Sequence, residues 1–254
     1  MPQAFVRAVS AQLARCELSF LEREPIDVER ARAQHAAYVS ALTELGCRIE
    51  WLEALEANAD GVFVEDTAVL APEVGVITRP GAASRRDEVE SVARALAARL
   101  PLAQVRAPAT LEGGDVLKVG RAFYVGASAR SNAAGVAQLG AALAPFGYTV
   151  ESVPLHGCLH LKSAVTFIPP ETLLVNPDWI DAARLRGAQQ VVTVAPEEPY
   201  GANTLSLGGV TLVSAAYPRT RARLEAEGIT TRTLEVGELH KAEAALTCLS
   251  LIIG

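Results

Sequence analysis

The chain has 254 residues, half of them apolar and a fifth charged, the balance of a globular protein able to bury a sizeable core. Its formal net charge of −6 argues against nucleic acid as a partner, because phosphates want a basic face, and no apolar run is long enough to span a bilayer. The opening Met1-Pro2-Gln3-Ala4-Phe5-Val6-Arg7 lacks the layout of a secretory signal, and the four cysteines, Cys16, Cys47, Cys158 and Cys248, have no disulfide-like spacing, so reduced thiols and a cytoplasmic location are expected.

In chain order, the first segment offers a strand over 5–9, a helix over 28–45 and a strand over 48–52. Val62-Phe63-Val64 and residues 74–78 read as two strands around a turn. Arg79-Pro80-Gly81 then leads to a helix over 87–100 that keeps Val89, Val92, Ala93, Leu96 and Leu100 on one face. The next unit has strands 116–119 and 122–125 around Gly120-Arg121, a helix over about 132–145 and a strand over 148–153. A weaker third unit has strands 164–168 and 173–175, an irregular stretch from Trp179, and a strand over 190–194. The fourth has strands 204–207 and 210–214 around Gly208-Gly209, a helix over 220–227 and a strand over 231–236.

A final strand over 246–253 lacks a helix of its own, and joining it to the opening segment makes a fifth unit. Repeats at a spacing of roughly forty residues suggest a solenoid or propeller, and a unit split between the ends suggests a closed ring. An open doubly wound sheet also alternates strands and helices, but paired hairpins before each helix favour the ring. No linker divides the chain, so one domain over 1–254 is expected.

Three reactive side chains lie far apart among small or apolar residues: Glu112 in Leu111-Glu112-Gly113-Gly114-Asp115, His160 in Leu159-His160-Leu161-Lys162, and Cys248 in Thr247-Cys248-Leu249-Ser250. Together they are the groups needed for nucleophilic catalysis through sulfur. Taken singly, each has a plainer reading: a small buried hydrophobe on a strand for Cys248, a satisfied core imidazole for His160, an acidic turn for Glu112 to Asp115. In the last, two glycines permit an unusual backbone and close approach of a ligand, although Gly-x-Gly-x-x-Gly is absent. Cys158 and His160 would share a strand face, half of a metal site without an evident second half.

Glu65 and Asp66 end an apolar stretch that begins at Asp60 and point to opposite faces, and a buried carboxylate normally pairs with a cation. Arg85 in Ser84-Arg85-Arg86 and Arg130 in Ser128-Ala129-Arg130-Ser131-Asn132 follow the second strands of two units, where they can clamp a carboxylate. The inventory implies a zwitterionic substrate. Asp66 and Glu112 suit a planar guanidinium, the arginines suit its carboxylate end, and the thiol suits attack on the guanidinium carbon.

These segments resemble the dimethylarginine dimethylaminohydrolases, within the guanidine-modifying superfamily that includes arginine deiminases and amidinotransferases. The matching stretches are Phe63 to Ala68, Ile77 to Ala82, Glu112 to Leu117, Leu159 to Lys162, Tyr217 to Thr220 and Thr247 to Ser250. The resemblance implies an α/β fold, a five-bladed α/β propeller (pentein) of ββαβ-type repeats with the site on its axis. It implies Cys248 as nucleophile, His160 as general acid and base, and Glu112 and Asp66 as guanidinium holders, Glu112 also orienting His160. Asp60, Glu65 and Ala242 are implied as further substrate contacts, Arg85 and Arg130 as the carboxylate clamp, and Leu18 as a backbone contact from a mobile lid.

The activity implied is hydrolysis of N-omega-methylated arginines to citrulline and a methylated amine through a covalent Cys248 thiouronium. No cofactor and no metal are implied, the partner is a small guanidino amino acid, and a homodimer is left open. Two readings compete. One is an arginine deiminase-like hydrolase releasing ammonia, although the large helical insertion of many deiminases is missing. The other is a non-catalytic propeller such as a ribosome-associated translation factor.

Overall fold

Strands of three to five residues alternate with short helices along the whole chain, and strands this short gain stability by radial repetition. In the computed structural model, which describes residues 1–254, the first elements are β1 (Gln3–Val6), α1 (Val28–Glu44) and β2 (Arg48–Trp51). The second unit is β3 (Ala68–Leu70), β4 (Gly75–Ile77), α2 (Val89–Ala97) and β5 (Leu102–Gln104). The third is β6 (Val116–Val119), β7 (Ala122–Gly126), α3 (Ala133–Leu143) and β8 (Thr149–Val153). Next come α4 (Leu161–Ala164), β9 (Val165–Ile168), β10 (Thr172–Val175) and β11 (Gln190–Thr193). The last elements are β12 (Leu205–Leu207), β13 (Val210–Ser214), α5 (Pro218–Ala226), β14 (Thr231–Leu234), α6 (Gly237–His240) and β15 (Leu251–Ile253).

All five sheets share one wiring. An antiparallel hairpin is followed by a crossover to a third strand parallel to the second, as in β3-β4-β5, β6-β7-β8, β9-β10-β11 and β12-β13-β14. The fifth sheet is β15-β1-β2, with Phe5 opposite Leu251 on one side and Glu50 on the other. The two ends of the chain therefore pair and shut a ring of five blades. No sheet exceeds three strands, which disposes of the open doubly wound alternative.

Local chemistry explains the details. Gly208 and Gly209, both at positive φ, form the two-residue loop between β12 and β13 that a tight hairpin requires. Asp27 and Asn132 cap α1 and α3 by accepting from the backbone N–H of Arg30 and Gly135. The crossover from β10 to β11 has only a 3-10 turn, Ala182–Arg184, between Pro177 and Gly187, which explains the weak helical signal there. No helix is long and apolar enough to cross a membrane.

The core is divided as the blades are, into five clusters. The largest surrounds α1, where Tyr38, Ala41 and Leu42 meet Ala4, Val6, Leu246 and Leu249 from the joined ends. Burying a large apolar side chain is worth roughly 1.5–3 kcal/mol, against about 1 kcal/mol net for a backbone hydrogen bond. Packing on α1 thus contributes more to closure than the three residue pairs of β1 with β15.

The inner strands differ from expectation in one consistent way. Val62-Phe63-Val64 is not a strand: Val64–Thr67 form a 3-10 turn and the strand begins at Ala68. Likewise Thr247–Leu249 form a 3-10 turn, so Cys248 lies on a turn rather than a strand. Each blade has a short helical turn just before its inner strand: the 3-10 turns Val64–Thr67, Gly113–Asp115, Pro199–Ala202 and Thr247–Leu249 and the α-helical turn Leu161–Ala164. Around two of these turns Val62, Phe63, Val64, Leu246 and Leu249 are buried and apolar as in a strand, and hydrophobicity alone does not separate the two. Strand β1 also stops at Val6, three residues early, because Arg7 is fully buried and donates to the carbonyls of Glu53, Gly61 and Glu88.

Candidate active site

The buried turns set the site. Asp66 rides on the turn before β3, Glu112 starts the turn before β6, His160 is the N-cap of α4, and Cys248 sits on the turn before β15. Asp66, His160 and Cys248 line one cavity with Asp60, Arg85 and Arg130, and Glu112 closes on it through His160. His160 Nε2 is 2.7 Å from Glu112 Oε2 and 3.9 Å from Asp66 Oδ1.

Each carboxylate is held from behind. Asp66 accepts from the Gly114 N–H at 2.9 Å and from Arg85 Nη1 at 2.6 Å. Glu112 Oε1 accepts from the N–H groups of Gly81 and Ala82 and from Arg130 Nη1 at 3.4 Å. The glycines of the acidic turn serve close approach by protein rather than by ligand, and their φ angles are not positive. A Cβ on Gly113 would stand 2.0 Å from the Glu65 carbonyl, and one on Gly114 2.7 Å from His160 Nδ1.

Electrostatics follow from this crowding. Burial alone would lower the His160 pKa, but Asp66, the Glu112 hydrogen bond and Asp115 outweigh it and hold the imidazole up at about 9. Burial would raise Asp66, yet His160 and Arg85 pull it down to about 2, and Glu112 is likewise lowered against burial by His160. The Cys248 thiol is pushed up to about 12, first by burial and then by the charges of Glu65 and Asp66. At neutral pH the site therefore holds an imidazolium and a neutral thiol.

The residues singled out from sequence divide as follows. Asp60, Asp66, Arg85, Arg130, His160, Ala242 and Cys248 all border the cavity. Arg85 faces it while its neighbour Arg86 is exposed. Arg85 does not present free donors, however: it is bound to Asp66, Glu88 and the carbonyls of Phe63 and Asp60. Glu65 turns the other way, donating no oxygen to this cavity; it binds Lys162 Nζ at 2.6 Å and Thr247 Oγ1 at 2.7 Å and borders a separate cavity along the inner strands.

Leu18 packs its side chain on the core around α1, and its neighbour Glu17 is the one that borders the cavity. Cys158 is buried away from the cavity, its Sγ donating to the His160 carbonyl at 3.4 Å, so it shares no strand face with the imidazole. Asp66, Glu112 and His160 bring ligand atoms within 4.8 Å of one another. A divalent cation among them would have to break the bond between His160 and Glu112.

Two functional residues escaped the sequence reading. Asp115 accepts from Ser131 Oγ and from the Leu161 N–H, joining the Glu112 turn to the His160 turn; its place in Glu-Gly-Gly-Asp was the available signal. Glu243, the one non-glycine residue at positive φ, accepts from the backbone N–H groups of Ser19, Phe20 and Leu21. It fastens that segment, while itself bordering the cavity, and nothing in the surrounding sequence marks it. The cavity has a volume of about 20 Å³, room for roughly one water.

Known proteins similar to this chain point to one family. The family described as N,N dimethylarginine dimethylhydrolase, eukaryotic, matches residues 4–212. A curated relative, the N(G),N(G)-dimethylarginine dimethylaminohydrolase of Streptomyces coelicolor, is 42% identical over 252 residues, covering 98% of this chain and 96% of its own. The chain belongs to the dimethylarginine dimethylaminohydrolase family. A crystal structure of a family member as an adduct with S-methyl-L-thiocitrulline superposes with a TM-score of 0.94 at 30% identity, over all of both chains. A mutant of the Pseudomonas aeruginosa enzyme complexed with citrulline superposes at 0.92 and 30% identity, over 99% of this chain and 98% of that one. The five-bladed ring is thus the family fold.

Proposed function

We propose that the chain, acting as one catalytic domain, hydrolyses asymmetric dimethylarginine and monomethylarginine to citrulline and a methylated amine. The observation that carries this reading is a single cavity in which a thiol, an imidazole bound to a carboxylate and a second carboxylate converge from four blades. Asp66 and Glu112 hold the planar guanidinium, which suits bidentate carboxylate bonds. Arg130 and Arg85 supply positive charge for the substrate carboxylate, Arg130 by giving up its long contact to Glu112. Asp60 and the backbone at Leu18 and Ala242 grip the amino-acid end, and Glu65 acts from behind through Thr247.

In this mechanism the substrate's cationic group lowers the Cys248 pKa on binding, and the thiol proton leaves to solvent. The thiolate adds to the guanidinium carbon. His160, already protonated at neutral pH, gives its proton to the departing amine, leaving an S-alkyl thiouronium. The neutral imidazole then takes a proton from water, which adds to the same carbon, and collapse releases citrulline and the sulfur.

The deciding experiment compares citrulline formation from arginine, monomethylarginine and asymmetric dimethylarginine. The methylated substrates should be favoured by about 10–200-fold, the discrimination an apolar pocket draws from a methyl-sized difference. Preference for arginine with release of ammonia would make the chain a deiminase instead.

A second expected result concerns the thiol. Alkylation of Cys248 by iodoacetamide should be slow at pH 7 and climb through pH 9 and above, since the free thiol titrates near 12. A bound, unreactive guanidine should shift that profile to lower pH. Identical profiles with and without the guanidine would defeat substrate-induced ionisation.

A further inference from the structure

Four of the five buried turns carry a residue of the site. The remaining one, Pro199–Ala202 before β12, ends on Asn203, which is 5% exposed. Its side chain spends every bonding group on other blades. Oδ1 accepts from the Thr247 N–H at 3.1 Å, while Nδ2 donates to Thr247 Oγ1 at 3.0 Å and to the Lys162 carbonyl at 3.1 Å. Thr247 Oγ1 in turn donates to Glu65, and Glu65 accepts from Lys162 Nζ. The bonds form a closed circuit, Asn203 to Thr247 to Glu65 to Lys162 and back.

Thr247 is the chain neighbour of Cys248, and Lys162 is two residues past His160. An N–H on one side demands an acceptor and a carbonyl on the other demands a donor, a pair of needs met by an amide in one orientation. A carboxylate of the same shape meets only the first. An aliphatic residue meets neither and leaves buried backbone groups unpaired.

We infer that Asn203 is a positioning residue for the reaction, holding the turn that bears Cys248 in register with the turn that bears His160. The inference rests on the roles proposed above for those two residues. Sulfur and imidazole must meet one guanidinium carbon from different blades, and misplacement by about 1 Å costs on the order of 10²-fold in rate.

The test uses Asn203→Ala and Asn203→Asp in the full chain, with kcat, KM and the rate of Cys248 alkylation measured on folded protein. Both variants should lose about 10–100-fold in kcat with KM within about threefold, while Cys248 remains fully alkylatable. A fold defect alone would lower the yield of active protein but not the turnover of each titrated thiol. Turnover per thiol within about twofold of the parent in Asn203→Asp, or a change confined to KM, overturns the inference. So does failure of both variants to fold, which would make Asn203 a stability residue. Full activity in Cys248→Ser would instead remove the proposed function, whatever the Asn203 variants do.

Discussion

Cys248→Ser should abolish citrulline formation, by about 10⁴-fold or more, because a serine hydroxyl in an acidic pocket has no base to ionise it and no thiolate to offer. The protein should remain folded. Cys248 makes a single hydrogen bond, accepted by sulfur from the Ala245 N–H at 3.4 Å, and serine replaces it with little change in volume. Binding of citrulline should persist, since the groups proposed to grip it are untouched. The measurement is turnover beside a binding isotherm on the same preparation. If Cys158→Ser is dead and Cys248→Ser is active, the nucleophile is misassigned, although Cys158 lies away from the cavity.

His160→Gly should be nearly as severe, with kcat down by about 10²–10⁴-fold, the range of a lost general acid and base. It also makes a prediction about stability with a definite sign. The imidazole pKa stands at about 9 against an ordinary 6.5, so the protonated ring binds Asp66 and Glu112 more favourably in the folded chain. That contribution is complete below pH 6.5 and fades as pH rises through 9. The variant should therefore melt well below the parent at pH 6, and the gap should narrow by pH 9.5. A gap that widens with pH would mean that the buried ring is neutral in the parent. Melting measured without substrate separates this from catalysis, because it reads the charge of the ring in the folded chain and not the proton it gives to a leaving amine.

The repeat pattern was legible because each blade is a local event. Glycine turns, capped helices and apolar runs are all encoded within about forty residues. Counting four whole units plus two ends was enough to expect closure, and β15 does pair with β1. The misread pieces share a cause. Val62-Phe63-Val64 and the stretch around Cys248 are apolar because they are buried, and burial looks the same for a turn as for a strand. Their short-range bonds, such as Phe63 N–H to the Asp60 carbonyl, depend on chain bending that periodicity does not reveal.

By itself, then, the amino-acid sequence determined the kinds of chemistry present and the number of blades, since side-chain identity and local period are properties of a few adjacent residues. Tertiary structure alone decided which charges meet. It gave Arg85 to Asp66, turned Glu65 towards Lys162 and Thr247, set Glu243 against the backbone of residues 19–21, and brought Asn203 between two turns from other blades. Those partners lie between about twenty and more than two hundred residues apart, and their distances exist only once the ring has closed. Closure is a sum of packing terms over all five blades, which no single segment carries.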